Sequence, residues 1–385
     1  MTNRLQTLQG YISQLIAGLP SPTGHHLDDD DIQAHLSGVS SCCVLLALRR
    51  GLDPELAGIS GMLHDIYRFK TGITPHHGHN GAEMARVVLK RMGDCFSEDE
   101  KEIILSAIFH HGEKKVTHGE YDEVLKDADT LSPFLYEGGP DYASPFLIKG
   151  SRRKRLKSLA KELGLTINFP EKKSYAKSPT NEPDIHTDKR LLLADIAERL
   201  AATSITGVCE DAVFMNLIRY WPEDTAPEEL KSGWCAAFVY HCCQEAGFTL
   251  PIRWVTEGSR FAGVAAWNSW ARKLGYFIKD EPGIVPKRGD IVLYRNSIPP
   301  ENKPEDQRHI PIDHIGIVLA GNSYGFTVAE GNVNNENVSG ILKRPHHQSI
   351  EGYIRIDNEF DYDSWTFDYK EDTCKYPINK LIQLF

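Results

Sequence analysis

The sequence predicts two domains of different class, an all-α domain followed by an α+β domain with an antiparallel sheet. Three observations carry this. Apolar residues recur at helical spacing from about residue 31 to about residue 131. The segments after about residue 190 begin as helices and end as β-branched strands. A stretch rich in Pro, Ser, Asn and Lys separates the two regions. At 385 residues, 41% of them hydrophobic, the chain is long enough for each domain to bury its own core.

The helical region reads as five periodic segments with caps or glycine stops: "AHLSGVSSCCVLLALRRG", "PELAGISGMLHDIY", "NGAEMARVVLKRMG", "SEDEKEIILSAIFHHG" and "YDEVLKDADTLSPF". After them, "SRRKRLKSLAKELGL" places Leu156, Leu159 and Leu163 on one helical face, as a last helix docked on this unit requires. Residues 1–165 therefore form the first domain and 166–188 the linker. The second domain, 189–360, opens with the helical "LLLADIAERLAATSI", "DAVFMNLIRYW" and "CAAFVYHCCQEAG". It continues with the strands "GDIVLYR", "HIGIVLAG", "GFTVAEGN" and "EGYIRI". The tail, 361–385, is acidic and aromatic and receives no assignment.

Charge is uneven along the chain. Residues 1–150 carry 13 Lys/Arg against 21 Asp/Glu, residues 151–190 carry 11 against 5, and residues 191–385 carry 19 against 27. A basic connector between two acidic bodies points to intramolecular complementarity or a solvated linker rather than to phosphate or nucleic acid. The N-terminal segment lacks the apolar run of a signal peptide, and no later run reaches the roughly 18 residues of a membrane span, so the expected location is the cytoplasm, without a membrane partner. The eight cysteines, including the adjacent pairs Cys42-Cys43 and Cys242-Cys243, show no framework spacing, which favours reduced thiols.

Ten of the sixteen histidines precede residue 119. His35 opens one helical segment and His64-Asp65 closes another. His77 precedes "GHNGAE", His110-His111 ends a third segment, and Asp129 lies in "ADTL". Neutral imidazoles together with carboxylates make a mixed N/O donor set suited to divalent Fe, Mn, Zn or Ni rather than Ca²⁺. The set resembles the HD-domain metal-dependent phosphohydrolases, with their His, His-Asp and later Asp in an "AD-x-L" turn, over roughly residues 30–165. "HHGHNGA" and "AIFHHG" further resemble the two-metal branch, close to bacterial hydrolases that cleave diadenosine tetraphosphate. That resemblance implies His35, His64, Asp65 and Asp129 as ligands and His77 and His111 as ligands of a second divalent transition metal. His76, His79 and His110 are near neighbours in register. It also implies a nucleotide-like phosphoester or phosphoanhydride substrate, for which Arg68 and Lys70 are candidate phosphate contacts. A cation would make the His64-Asp65 pair tolerable at the end of an apolar run.

The second constellation centres on "SGWCAAFVYHCCQEAG". Small residues allow a sharp turn, and Cys235 then begins a helix, whose N-terminal dipole favours a thiolate. His314 starts a strand after a polar loop, and Glu330 with Asn332 ends the next strand, so a base and an orienting group are available for nucleophilic acyl transfer. The order "GWCAAFV", "PKRGDIVLY", "DHIGIVLAG", "VAEGNVN", "IEGYIRI" resembles the CHAP domains, the cysteine- and histidine-dependent amidohydrolases and peptidases of the papain-like NlpC superfamily, over roughly residues 190–356. The resemblance implies Cys235 as nucleophile, His314 as general base, Glu330 as the imidazole-orienting acid and Asn332 as an accessory polar group, with the choice of ring-holder between the last two left open. Asp290 and Asp313 read as turn residues. The implied substrate is an amide or peptide, muramyl peptides among the candidates. The whole chain thus reads as a bifunctional hydrolase. One rival is a cysteine enzyme gated by an HD domain that senses a nucleotide without turnover; another is a peptidoglycan-cleaving lysin or effector, for which no wall-binding or export element is evident.

Overall fold

The computed structural model describes residues 4–17, 29–136, 150–166, 188–254, 260–303, 305, 310–346, 349–362, 366–368 and 373–375. The chain divides into two compact units, Met1–Pro183 and Asp184–Phe385. Most of the segment 166–188 and of the tail 361–385 lies outside the described residues.

The first unit is helical: α1 Arg4–Ala17, α2 Asp29–Arg50, α3 Pro54–Leu63, α4 Ile66–Thr71, α5 His77–Arg91, α6 Glu98–His110, α7 Glu120–Tyr136 and α8 Gly150–Leu163. Local chemistry sets several of the boundaries. Asp53 caps α3 by accepting from the amides of Glu55 and Leu56, with Pro54 at the first helical position, and Ser97 and Glu100 form a reciprocal capping box on α6. Helix α2 buries Leu36, Val39, Cys43, Leu46 and Ala47 and packs along α3 and α7. Asp31–Arg50 within it is, by length and composition, apolar enough to cross a membrane, which corrects the expectation that no segment reaches that threshold. One face of it packs against α3 and α7, while Leu45 and Leu48 are exposed. His35 therefore sits inside α2 rather than opening a helix, and Asp129 lies within α7 rather than in a turn. Helix α8 docks on α7 through Leu156 and Leu159, and Arg155 pairs with Glu123 and Asp127 of α7 at 2.9 Å each.

In the second unit, the helices α9 Lys189–Ala201, α10 Ala212–Leu217, α11 Ala226–Leu230, α12 Cys235–Glu245 and α13 Val264–Leu274 precede the strands. These are β1 Phe277–Lys279, β2 Ile291–Arg295, β3 Ile312–Asn322, β4 Gly325–Glu330, β5 Gly340–Pro345 and β6 Ile350–Ile354. The six strands form one antiparallel sheet in the order β1-β6-β2-β3-β4-β5. Val292, Tyr294, Val318, Phe326, Val328, Ile350 and Tyr353 build a core on it, and α9, α12 and α13 pack against β3. The two edge strands, β1 and β5, were not expected. They are short or charged, "FIK" and "GILKRP", as edge strands that avoid further pairing tend to be. A further ribbon, β7 Thr366–Asp368 with β8 Thr373–Lys375, lies in the tail.

Candidate functional site

In the first unit, helix ends deliver the donors to one place. His64 is the C-cap of α3 and Asp65 the N-cap of α4. His77 begins α5, and His111 caps the C-terminus of α6. Gly78 makes one of these approaches possible: a Cβ there would lie 2.8 Å from the Phe109 carbonyl oxygen, so the start of α5 can press against the end of α6.

The histidine tautomers follow from their partners. His64 Nδ1 lies 2.8 Å from the Gly61 carbonyl, His77 Nδ1 2.6 Å from that of Thr74, and His111 Nδ1 2.6 Å from that of Ile108. A carbonyl only accepts, so each Nδ1 carries the hydrogen, and Nε2 of the neutral ring presents a lone pair. Those lone pairs converge. His77 and His111 Nε2 are 2.9 Å apart, and the His35 and His64 Nε2 atoms are 3.3 Å apart. Asp65 spans the two pairs: Oδ2 is 3.7 Å from both His35 and His64 Nε2, while Oδ1 is 3.3 Å from His77 and 3.4 Å from His111. Asp129 Oδ1 lies 3.7 Å from His64 Nε2. Ligand atoms about 2.1 Å from a shared ion lie roughly 3–3.5 Å from one another, close to the spacing found here.

The electrostatics agree with a cation site. Burial lowers the pKa of His35, His64 and His111, favouring the neutral ligand form. Burial opposes charge on Asp65, yet the surrounding imidazoles hold its carboxyl well below the usual range. Asp65 Oδ1 is buried without a hydrogen bond, an expensive condition that a divalent ion would relieve. His35, His64 and Asp129 form one ligand cluster, and His64, Asp65 and His111 form another.

Other residues fall outside the cluster. Arg68 donates to Asp65 Oδ2 at 3.0 Å, and Lys70 is half-buried at the end of α4. His76 adopts a left-handed backbone ahead of α5, and His110 stacks on His118 with ring centroids 3.9 Å apart, beside Glu113. His110, Glu113 and His118 form a third His/Glu cluster, but Lys126 donates to His118 Nδ1 at 2.6 Å. That bond leaves the hydrogen on Nε2, pointing at Glu113, and removes the lone pair a metal would need. Sequence reasoning missed Lys114. Its buried ammonium donates to Asp129 Oδ2 at 2.5 Å and to the His111 carbonyl at 3.2 Å, leaving Asp129 Oδ1 for the cluster. Only its position three residues after His111 marked it in the sequence.

In the second unit, Cys235 is the first residue of α12, and His314 and Glu330 come from adjacent strands. All three are buried. His314 Nε2 donates to Glu330 Oε2 at 3.0 Å. Burial works against charge on His314, but Cys235 and Glu330 outweigh it and push its pKa up to about 10. Burial likewise opposes charge on Glu330, and His314 with Arg344 brings its pKa down to about 2. Together these place a buried cysteine and a buried imidazole in one site, with the imidazole backed by a carboxylate.

Glu330, not Asn332, holds the ring. Asn332 has a left-handed backbone, donates to the Ser232 carbonyl at 3.3 Å and accepts from the Asn337 amide at 2.9 Å. It steadies the turn leading into Cys235. Asn337 adds to this by accepting from Trp234 Nε1 at 3.0 Å. Asp313 accepts from Ser297, Ile298 and Lys303, and Asp290 is buried against Arg355 and accepts from the Lys287 amide, so both hold loops.

A candidate imidazole–carboxylate cation site at helix ends, and a cysteine at a helix start with a His-Glu pair on a sheet, are both arrangements of hydrolases. Comparison with known families agrees: residues 32–133 match the HD domain and residues 227–332 match the CHAP domain. The chain thus joins an HD domain to a CHAP domain, both of them hydrolase domains. No curated protein and no solved structure matches it.

Proposed function

We propose that the protein is a bifunctional hydrolase, with a two-metal phosphohydrolase acting on a nucleotide-like phosphoester or phosphoanhydride joined to a cysteine amidase or peptidase. The carrying observation for the first activity is Asp65, whose two oxygens face two separate pairs of imidazole Nε2 atoms. His35, His64, Asp65 and Asp129 would hold one ion and His77, His111 and Asp65 the other. When bound, such ions polarise a phosphoryl oxygen and activate water for in-line attack. The chain's own residues keep the donors aligned through the Nδ1 bonds to carbonyls and the Lys114 bond to Asp129.

For the second activity, the Cys235 sulfur attacks the carbonyl carbon of an amide. The C–N bond breaks as His314 passes its proton to the departing nitrogen, leaving a thioester. His314 then takes a proton from water, the water oxygen bonds to the acyl carbon, and the C–S bond breaks to return the thiolate. The buried Cys235-His314-Glu330 line supports this reading. The test is a panel of phosphorylated nucleotides and of cytosolic and muramyl amides assayed with wild type, Asp65→Ala and Cys235→Ala. Each variant is expected to lose one activity and keep the other. Absence of any phosphate or amide turnover by the metal-loaded wild type would overturn the proposal.

A further inference from the structure

Glu330 carries more than the histidine. Its side chain is fully buried, and its oxygens accept four hydrogen bonds. Oε2 accepts from His314 Nε2 at 3.0 Å and from Arg344 Nη2 at 2.7 Å, and Oε1 accepts from Tyr294 Oη at 2.8 Å and from Arg344 Nε at 3.3 Å. Arg344 reaches it from the edge strand β5, where the pairings Glu330 with Gly340 and Phe326 with Arg344 put both side chains on one face of the sheet. Gly316 on β3 clears the way, because a Cβ there would lie 2.8 Å from Glu330 Cγ.

The charge order explains why a second cation is needed. On the mechanism proposed above, α12 would bring a Cys235 thiolate and β3 a His314 imidazolium, beside the Glu330 carboxylate from β4, the Arg344 guanidinium from β5 and the Tyr294 phenol from β2. Without Arg344, two buried anions would share one imidazolium, and that imidazolium turns neutral once its proton passes to the departing nitrogen. Glu330 would then be a buried carboxylate without a counter-ion. The fork of Arg344 supplies a cation that never titrates and fixes both carboxylate oxygens in the plane that meets the ring.

We propose that Arg344 is a positioning residue of the cysteine site, keeping Glu330 ionised and oriented so that the His314 ring stays aligned on Cys235 through every stage of turnover. This rests on the cysteine-hydrolase reading. The residue lies beyond the segment that matches the CHAP domain, which ends at residue 332.

The experiment needs no substrate. The rate of Cys235 alkylation by iodoacetamide in the full chain is followed by peptide mass spectrometry from pH 4 to pH 9, for wild type, Arg344→Met and Arg344→Lys, beside thermal unfolding. In Arg344→Met the acid limb of the profile should move up by about one pH unit, slowing labelling about tenfold on that limb. Arg344→Lys should recover most of the shift. An Arg344→Met profile that superimposes on wild type overturns the proposal. So does an equal loss at every pH in both variants, the mark of a merely structural role. If Arg344→Met does not fold, Arg344→Gln, which keeps hydrogen-bond donors without the charge, decides by the same shift or its absence. A wild type in which Cys235 is not labelled ahead of the other thiols would sink the cysteine-hydrolase reading, and this proposal with it.

Discussion

Replacing Asp65 by alanine removes the side chain that, among the described residues, faces both imidazole pairs, so it tests whether the cluster is a shared site or two independent ones. Its oxygens approach four Nε2 atoms, two at 3.7 Å and the others at 3.3 and 3.4 Å, so a single deletion should cost both ions. His111→Ala, by contrast, removes a ligand from one side only. Metal content by elemental analysis should fall from two ions per chain toward none in Asp65→Ala, and toward one in His111→Ala. Stability gives a second readout. At a free metal concentration about 1,000 times the dissociation constant, a native-state ligand adds about 4 kcal/mol. For a domain of this size that is roughly 8–16 °C in Tm, at about 2–4 °C per kcal/mol. The wild type should show a metal-dependent rise of that order by scanning calorimetry, and Asp65→Ala should lose it. Asp65→Ala should nevertheless fold without metal, because the change also removes a buried, hydrogen-bond-poor oxygen. Two ions retained in Asp65→Ala, or an undiminished metal-dependent rise, would refute the bridging argument.

Lys114→Met should weaken metal retention about 10–100-fold by freeing Asp129 Oδ2, measured by competition with a chelator; unchanged affinity would remove the orienting role given to this lysine. At pH 6, Cys235 should alkylate ahead of the exposed Cys95 and Cys209, while burial raises the pKa of Cys42, Cys43, Cys242 and Cys243 and leaves them silent; His314→Ala should abolish the preference, and labelling of another cysteine first would contradict it. The same pair sets a pH window for the second unit. The pKa of His314 is raised from 6.5 to about 10, so its contribution to stability is complete below pH 6.5 and is lost as pH rises toward 10. That of Glu330 is lowered from 4.5 to about 2, so its contribution is complete above pH 4.5 and is lost as pH falls toward 2. Thermal stability should therefore fall on both sides of pH 4.5–6.5, and Cys235→Ala should flatten the alkaline side; an identical alkaline slope in that variant would show that Cys235 is not the cause.

What the sequence by itself determined was local in its physics. Helices α2, α3, α5, α6 and α7 were legible because each buries a stripe set by the 3.6-residue period, and the starts of α3 and α6 because Asp53 and Ser97 satisfy amides a few residues away. The site residues were named by what the two family resemblances imply; locally, His64-Asp65, His110-His111 and the Cys235 turn stand out as chemical groups spaced by one helix end or one turn. The tertiary structure shows which members of each set come together. His77 rather than His76 or His79, and His111 rather than His110, meet the cluster because the orientations of α5 and α6 point those rings at Asp65, and that orientation depends on a Gly78 contact with a different helix. Glu330 rather than Asn332 meets His314 because β4 ends at Glu330 and the left-handed backbone at Asn332 turns its side chain to the Ser232 carbonyl instead. The charge partners Lys114 and Arg344 were invisible for the same reason. Their significance lies in a carboxylate 14 or 15 residues away, and no periodicity encodes a contact that a strand pairing or a helix packing creates.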